Sequence, residues 1–328
     1  GVITQSGNSF IMKVYGDIIN NGECNNSYLR FAGTDNQNIS CLNNMPFSNT
    51  YIASEKTAGN VVAISDLYFS GIQADVSSQV IDLSGGYVLH LDGGRIYTAN
   101  IIGSTGSEAD AGIFGENEAY LYNVIANNTL KITGTVNLYG NTTLDNIIVE
   151  GILQNRAGIS VTNYITGNIT NSGTIQDNPG GGTLGLYIEG DITNNGSWSN
   201  VKIYLDGTAD QHIGCLNNNT FELDELINNN SVGDIIANGH LSFTNTNINF
   251  GSYNLDLTGG YDLALNGGRI YRGNINGSGN ESLTFTNAAY FYESSASDVQ
   301  LDGVFMIYST QCDLHNITNN GTLQARDN

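Results

Sequence analysis

Between Ser107 and Glu118 stand four carboxylates, Glu108, Asp110, Glu116 and Glu118, hard oxygen donors of the kind that hold Ca²⁺. A carbohydrate-cleaving site asks for more: paired carboxylates across one groove, or a cation cluster beside a base that takes a proton. Bases are scarce, 10 Lys and Arg against 31 Asp and Glu. The chain also contains an internal repeat, and its two copies do not keep their histidines: His90 stands opposite Ala264, and His212 opposite Asn38. The bases kept in both copies are Arg95/Arg269 and Arg156/Arg326. Arg95 and Arg269 each follow Gly-Gly at a strand start, which predicts a bridge to a neighbouring acid or backbone carbonyl. The expectation is therefore a chain without catalytic residues, whose acidic segment is a solvated loop and whose one candidate cofactor is Ca²⁺.

The elements that would carry these residues are legible from the repeat. The stretch GGYVLHLDGGRIY, Gly85 to Tyr97, returns as GGYDLALNGGRIY, Gly259 to Tyr271. The differences, Val88/Asp262, His90/Ala264 and Asp92/Asn266, fall on alternate residues, with Leu89 and Leu91 kept between them. Period two marks a strand with one face buried. Gly16-Asp17-Ile18 and Gly190-Asp191-Ile192, and Cys41-Leu42-Asn43-Asn44 and Cys215-Leu216-Asn217-Asn218, share the same separation of 174 positions. Past Gly106 the separation falls to 170, so the first copy holds extra residues near Ser107 to Glu118. Residues 1–172 read as the first repeat and 173–328 as the second, continuous with it as one rod.

Inside each copy runs a finer ladder in which a polar residue precedes an aliphatic one. It passes through Asp17-Ile18, Asn38-Ile39, Asn60-Val61, Asp82-Leu83, Asn100-Ile101, Asn123-Val124 and Asn146-Ile147, and through Asn168-Ile169, Asp191-Ile192, His212-Ile213, Asp234-Ile235, Asp256-Leu257 and Asn274-Ile275 to Asn316-Ile317. A degenerate Glu293-Ser294 makes fifteen stations. A period in the low twenties with Gly/Asn turns predicts an all-β fold, a parallel β-solenoid, right-handed as parallel crossovers are. Stacked at about 4.8 Å, the stations would form one inner aliphatic column and a rod of about 70 Å. Asn and Asp suit the corners, because their side chains bond local backbone and can pair between coils. On this reading Ile192→Asp is disruptive and Asn194→Ser only a mild change in a turn.

Composition narrows the function classes. Charged residues are 12% and the formal net charge is -21, which disfavours nucleic acid, whose phosphates need Lys and Arg, and anionic membrane surfaces. No run of about 18 apolar residues is present, so no membrane insertion is expected. Cys24, Cys41, Cys215 and Cys312 follow no metal-ligand or redox spacing and read as small buried residues. Asn-x-Ser/Thr sequons are numerous, and Asn195 and Asn320, in turns, are the best glycosylation acceptors among them.

The phrases GDITNNGSWSN, QHIGCLNNNTFELDELINN and FGSYNLDLTGG resemble the Asn/Thr/Gly-rich β-helix stretches of large secreted prokaryotic surface proteins, adhesin-like or filament- and sheath-forming. The resemblance implies an extracellular, cell-surface scaffold or adhesive role and no catalytic residue. The partners expected are further repeats of the same chain or other copies end to end, and a surface polysaccharide. The alternative is a polysaccharide-binding or polysaccharide-degrading β-helix, with Tyr120/Tyr122 and Tyr290/Tyr292 as sugar-stacking candidates.

Overall fold

The computed structural model describes residues 11–25, 27–48, 51–77, 79–105, 111–251, 253–308 and 311–326, and the backbone of the strand Val2–Thr4. The fold is an all-β parallel β-solenoid of about 13 turns with almost no helix. A single 3-10 turn at Leu42–Asn44 is the one helical element among the described residues. Two compact units are distinguished, Gly1–Tyr164 with Asn178–Gly182, and Ile165–Asp177 with Thr183–Asn328.

In the first unit each coil contributes three short strands, and strands from successive coils stack in register into three parallel columns. One column runs through Leu67–Ser70, Val88–Asp92 and the first half of Gly112–Tyr122. A second runs through Tyr28–Phe31, Tyr51–Ser54, Gln73–Asp75, Arg95–Tyr97 and the second half of Gly112–Tyr122. The third joins Ile18–Asn20, Gln37–Cys41, Val61–Ala63, Val80–Asp82, Asn100–Ile102 and Ile125–Asn127. The second unit repeats the plan, for instance Leu241–Thr244 on Leu263–Asn266 on Ser282–Thr286.

Alternation decides what each strand buries. Leu89 and Leu91 are fully buried, as are Leu263 and Leu265, while the variable positions between them face outward. Aromatic rings also stack inside: Phe47 lies 5.9 Å from Phe69, and Trp198, Phe221 and Phe243 follow one another at 5.7 and 5.3 Å. Each such side chain, fully buried, contributes about 1.5–3 kcal/mol.

The aliphatic ladder departs from the sequence reading in two ways. Its register slips by two residues: Ile39 pairs with Ala63, and Val61 with Ile81 rather than Leu83. A two-residue slip keeps every side chain on the same face, so Val61, Leu83 and Ile81 are all buried. The ladder also changes column. Ala126 pairs onward with Leu144, whereas Ile147 pairs with Leu130, in the column of Leu89 and Ile113. The coil between them is short, so fifteen stations do not mean fifteen turns.

Corners are closed by side chains. Asp17 accepts the Asn38 backbone N–H at 2.8 Å, Asp66 that of Val88 at 2.8 Å, and Asp262 that of Ser282 at 2.8 Å. Among the described residues, eleven of the eighteen non-glycine residues with positive φ are Asn, a residue several-fold enriched in this region. At the GDITNNG turn a Cβ on Gly196 would lie 2.3 Å from the Gly173 carbonyl of the coil before, which reserves the site for glycine.

Several amides face inward, among them Asn194, contrary to its reading as a turn residue. Asn194 is 0% exposed; its amide donates to the Thr220 carbonyl at 3.4 Å and accepts from the Gly196 N–H at 3.0 Å and from Asn171 at 3.4 Å. Gln37 donates to the carbonyls of Val14 and Gly16, both at 2.9 Å, and its counterpart Gln211 to those of Ile188 and Gly190 at 2.9 and 2.8 Å. Asn194→Ser is therefore expected to lower stability by about 1–3 kcal/mol, the cost of stranding buried groups, alongside a severe loss for Ile192→Asp. Urea unfolding checks both, and an unchanged midpoint for Asn194→Ser would remove the amide ladder from the account.

Candidate functional site

The residue types with chemistry gather on the second column of the first unit. Successive strands place Arg95 beside Tyr120, and Tyr97 beside Tyr122 and then Tyr139. The Tyr97 and Tyr122 rings lie 5.4 Å apart and those of Tyr122 and Tyr139 4.8 Å. Arg156, which follows the strand Ile152–Asn155, lies over Tyr139 at 4.9 Å and over Tyr120 at 5.6 Å; Arg95 covers Tyr120 at 5.2 Å. The second unit builds the same set from Arg269, Tyr271, Tyr290, Tyr292, Tyr308 and Arg326. Tyr271 and Tyr292 stack at 4.9 Å, Tyr292 and Tyr308 lie 5.8 Å apart, and Arg326 sits 5.2 Å above Tyr290 and donates to its hydroxyl.

The strand period explains the arrangement. Residues two apart share a face, so Arg95 and Tyr97, or Tyr120 and Tyr122, point outward together while Ile96 and Leu121 are buried between them. Among the described residues, Arg95 and Arg269 form no bridge to an acid or carbonyl of the kind predicted. Arg95 donates to the Tyr97 hydroxyl at 3.4 Å, and Arg269 to the Asn247 side chain at 3.0 Å, because their outward neighbours in the column are Tyr, Gln and Asn. Among the described residues none of Arg95, Arg156, Arg269 and Arg326 forms an ion pair, whereas Lys13 and Arg30 share Glu55, and Lys202 meets Asp224 and Glu225. Burial pushes the Tyr120 phenol up, and the Glu118 carboxylate that accepts a hydrogen bond from its hydroxyl at 2.8 Å adds to this.

Next to this column a groove of ≈580 Å³ is lined by Tyr122, Tyr139 and Tyr164 with Asn141, Thr143 and Ser160 among its polar groups. A smaller groove of ≈310 Å³ in the second unit includes Asn247, Arg269 and Tyr271.

Glu116 and Glu118 are exposed on the strand Gly112–Tyr122, and Glu108 and Asp110 lie outside the described residues. Among the described residues no group of three or more His, Cys, Asp or Glu is placed to hold a metal ion. Asn195 is half-buried and accepts from Asn217, while Asn320 is exposed and donates to Gln300. His212 holds Asp191 at 3.3 Å as Asn38 holds Asp17, a corner contact in each copy. His90 stacks on Tyr68 at 4.2 Å, and its burial pushes the imidazole down. Cys24, Cys41 and Cys215 are buried and Cys312 is partly buried.

Comparison with known proteins returns no match. No family model, no curated protein and no solved structure matches the chain.

Sequence reasoning missed one buried acid. Burial alone would push Glu281 up, but the Ser278 hydroxyl at 2.7 Å and the backbone N–H groups of Ser278 and Asn280 together hold it below the usual range. With a depressed folded-state value, its stabilisation is present above the unfolded-state pKa of about 4.3 and lost as pH falls through the folded-state value. Glu281→Gln is expected to flatten the fall of Tm with acidification below about pH 4.5; an acid limb identical to the parent's would remove Glu281 from it. Burial pushes Cys41 and Cys215 up to about 11. Neither is expected to react with a thiol reagent at about pH 8 until the chain unfolds, and rapid labelling of the folded protein would contradict their placement.

Proposed function

We propose that the protein is an extracellular structural and adhesive β-solenoid, a stiff repeat scaffold of a cell-surface protein, filament or sheath. The observation that carries this reading is the duplication of one outward surface: the Arg–Tyr column of the first unit is rebuilt, residue for residue, in the second. A catalyst gains little from a second copy of its face, whereas a surface that holds on to something gains avidity from each added contact. Further repeats of the chain or other copies stacked end to end are its proposed partners, since coil-on-coil pairing can extend the same ladder by strand addition.

A polysaccharide-active β-helix is the second reading, and the tyrosine column with its open groove favours binding within it. Two measurements separate the readings. Electron microscopy of native material is expected to show extended filaments, sheath or surface fibres; isolated compact particles would count against the scaffold. Purified protein is expected to release no product from pectin or alginate, and turnover abolished by Arg95→Gln or Asp82→Asn would replace the scaffold with an enzyme.

A further inference from the structure

The two Arg–Tyr columns hold cations that form no ion pair with the protein's own carboxylates among the described residues, the charge of Glu118 reaching Arg95 only from a longer distance. The chain carries 31 acids against 10 bases, so a guanidinium without a carboxylate is the exception to be explained. Arg95, Arg156, Arg269 and Arg326 have no ion pair among the described residues, and all four belong to these columns. The other six bases are Lys13, Arg30, Lys56, Lys131, Lys202 and Arg272. Five of them meet carboxylates, Lys131 through Glu150 and Arg272 through Glu293; Lys56 is buried against the Asp35 carbonyl at 2.6 Å.

The tyrosines around these arginines are half-buried, with their outer surfaces open. Tyr offers an apolar ring face and a polar tip at small entropic cost, the pairing of properties that suits a sugar ring with one C–H face and a rim of hydroxyls. Guanidinium groups bind carboxylate by paired N–H donors. Tyr97, Tyr122 and Tyr139 succeed one another on neighbouring strands, at about 4.8 Å per strand, with ring centres 5.4 and 4.8 Å apart. A chain lying along the column would meet one tyrosine per coil and reach Arg156 just past the strand Ile152–Asn155. The adjoining groove supplies Asn141, Thr143 and Ser160 as hydrogen-bonding groups.

We propose that each Arg–Tyr column binds an anionic polysaccharide, which lies along the outward edges of the tyrosines with its carboxylates held by Arg156 and Arg95 in the first unit and by Arg326 and Arg269 in the second. This deepens the adhesive reading and rests on it. The protein's own negative charge repels polyanions elsewhere on the surface, which confines them to these columns and favours one charge per sugar over denser polymers.

Affinity electrophoresis of the full chain in gels containing polygalacturonate, neutral dextran or no polymer tests the proposal. Polygalacturonate is expected to retard the protein and dextran to leave it unaffected. Arg156→Gln is expected to weaken retardation about tenfold, and Arg156→Gln with Arg326→Gln to abolish it, with circular dichroism unchanged; Arg156→Lys, which keeps the charge and the side-chain stem, is expected to fall between. Equal retardation of parent and double variant, equal retardation by dextran, or no retardation would overturn it. So would concentration-dependent self-association abolished by the same variants, which would make a second acidic copy the occupant. Extended native fibres with no polygalacturonate binding would remove this ligand and leave the scaffold standing; binding by compact single particles would do the reverse.

Discussion

A parallel ladder satisfies the backbone only where the chain runs straight, and a solenoid must turn three corners in every coil. Each corner would strand N–H and C=O groups against an apolar interior, at a cost comparable to a lost hydrogen bond apiece. The fold depends on side chains taking over there. Asp17, Asp66 and Asp262 reach forward to an N–H of the following coil, while Gln37 and Gln211 reach back to two carbonyls of the preceding one. The short amide and carboxylate side chains suit this because they are polar at the distance of one backbone turn.

The composition follows from that requirement. Amides satisfy corners without the desolvation cost of a buried charge, which accounts for a chain only 12% charged that remains polar outside. Where a charge is buried it is fully met: Lys56 by the Asp35 carbonyl and Gln37, Glu281 by the Ser278–Asn280 turn. Bases are left for the outward columns, where Arg95, Arg156 and Arg326 lie over tyrosine rings and Arg269 donates to Asn247.

Much of the fold was legible because it is periodic. Comparison of GGYVLHLDGGRIY with GGYDLALNGGRIY separated Leu89 and Leu91 from His90 and Asp92 as inside from outside, as the structure has them. The column change between Val124 and Ile147 was not, since a shortened coil leaves the local pattern of Asn before Ile intact while moving it to another face. Asn194 was misread for a related reason: an asparagine before Asn-Gly looks like a turn former whether its amide points to solvent or to the Thr220 carbonyl. Tyr120, Tyr122, Tyr290 and Tyr292 stood out in the sequence, but Arg156 joined them only through the stacking of coils, because its partner Tyr139 is a full coil away.

The pairing of each strand with its neighbours one coil before and after also governs how the molecule fails. Among the described residues no strand reaches over a neighbour to grip a distant one, so cooperativity is passed along by contact from coil to coil. A peptide bond cut in an exposed turn leaves both flanking strands hydrogen-bonded to intact coils, so nicked material keeps its form. Damage of this kind is tolerated as a dropped stitch is in a ribbed fabric: locally weakened, and held by the rows on either side.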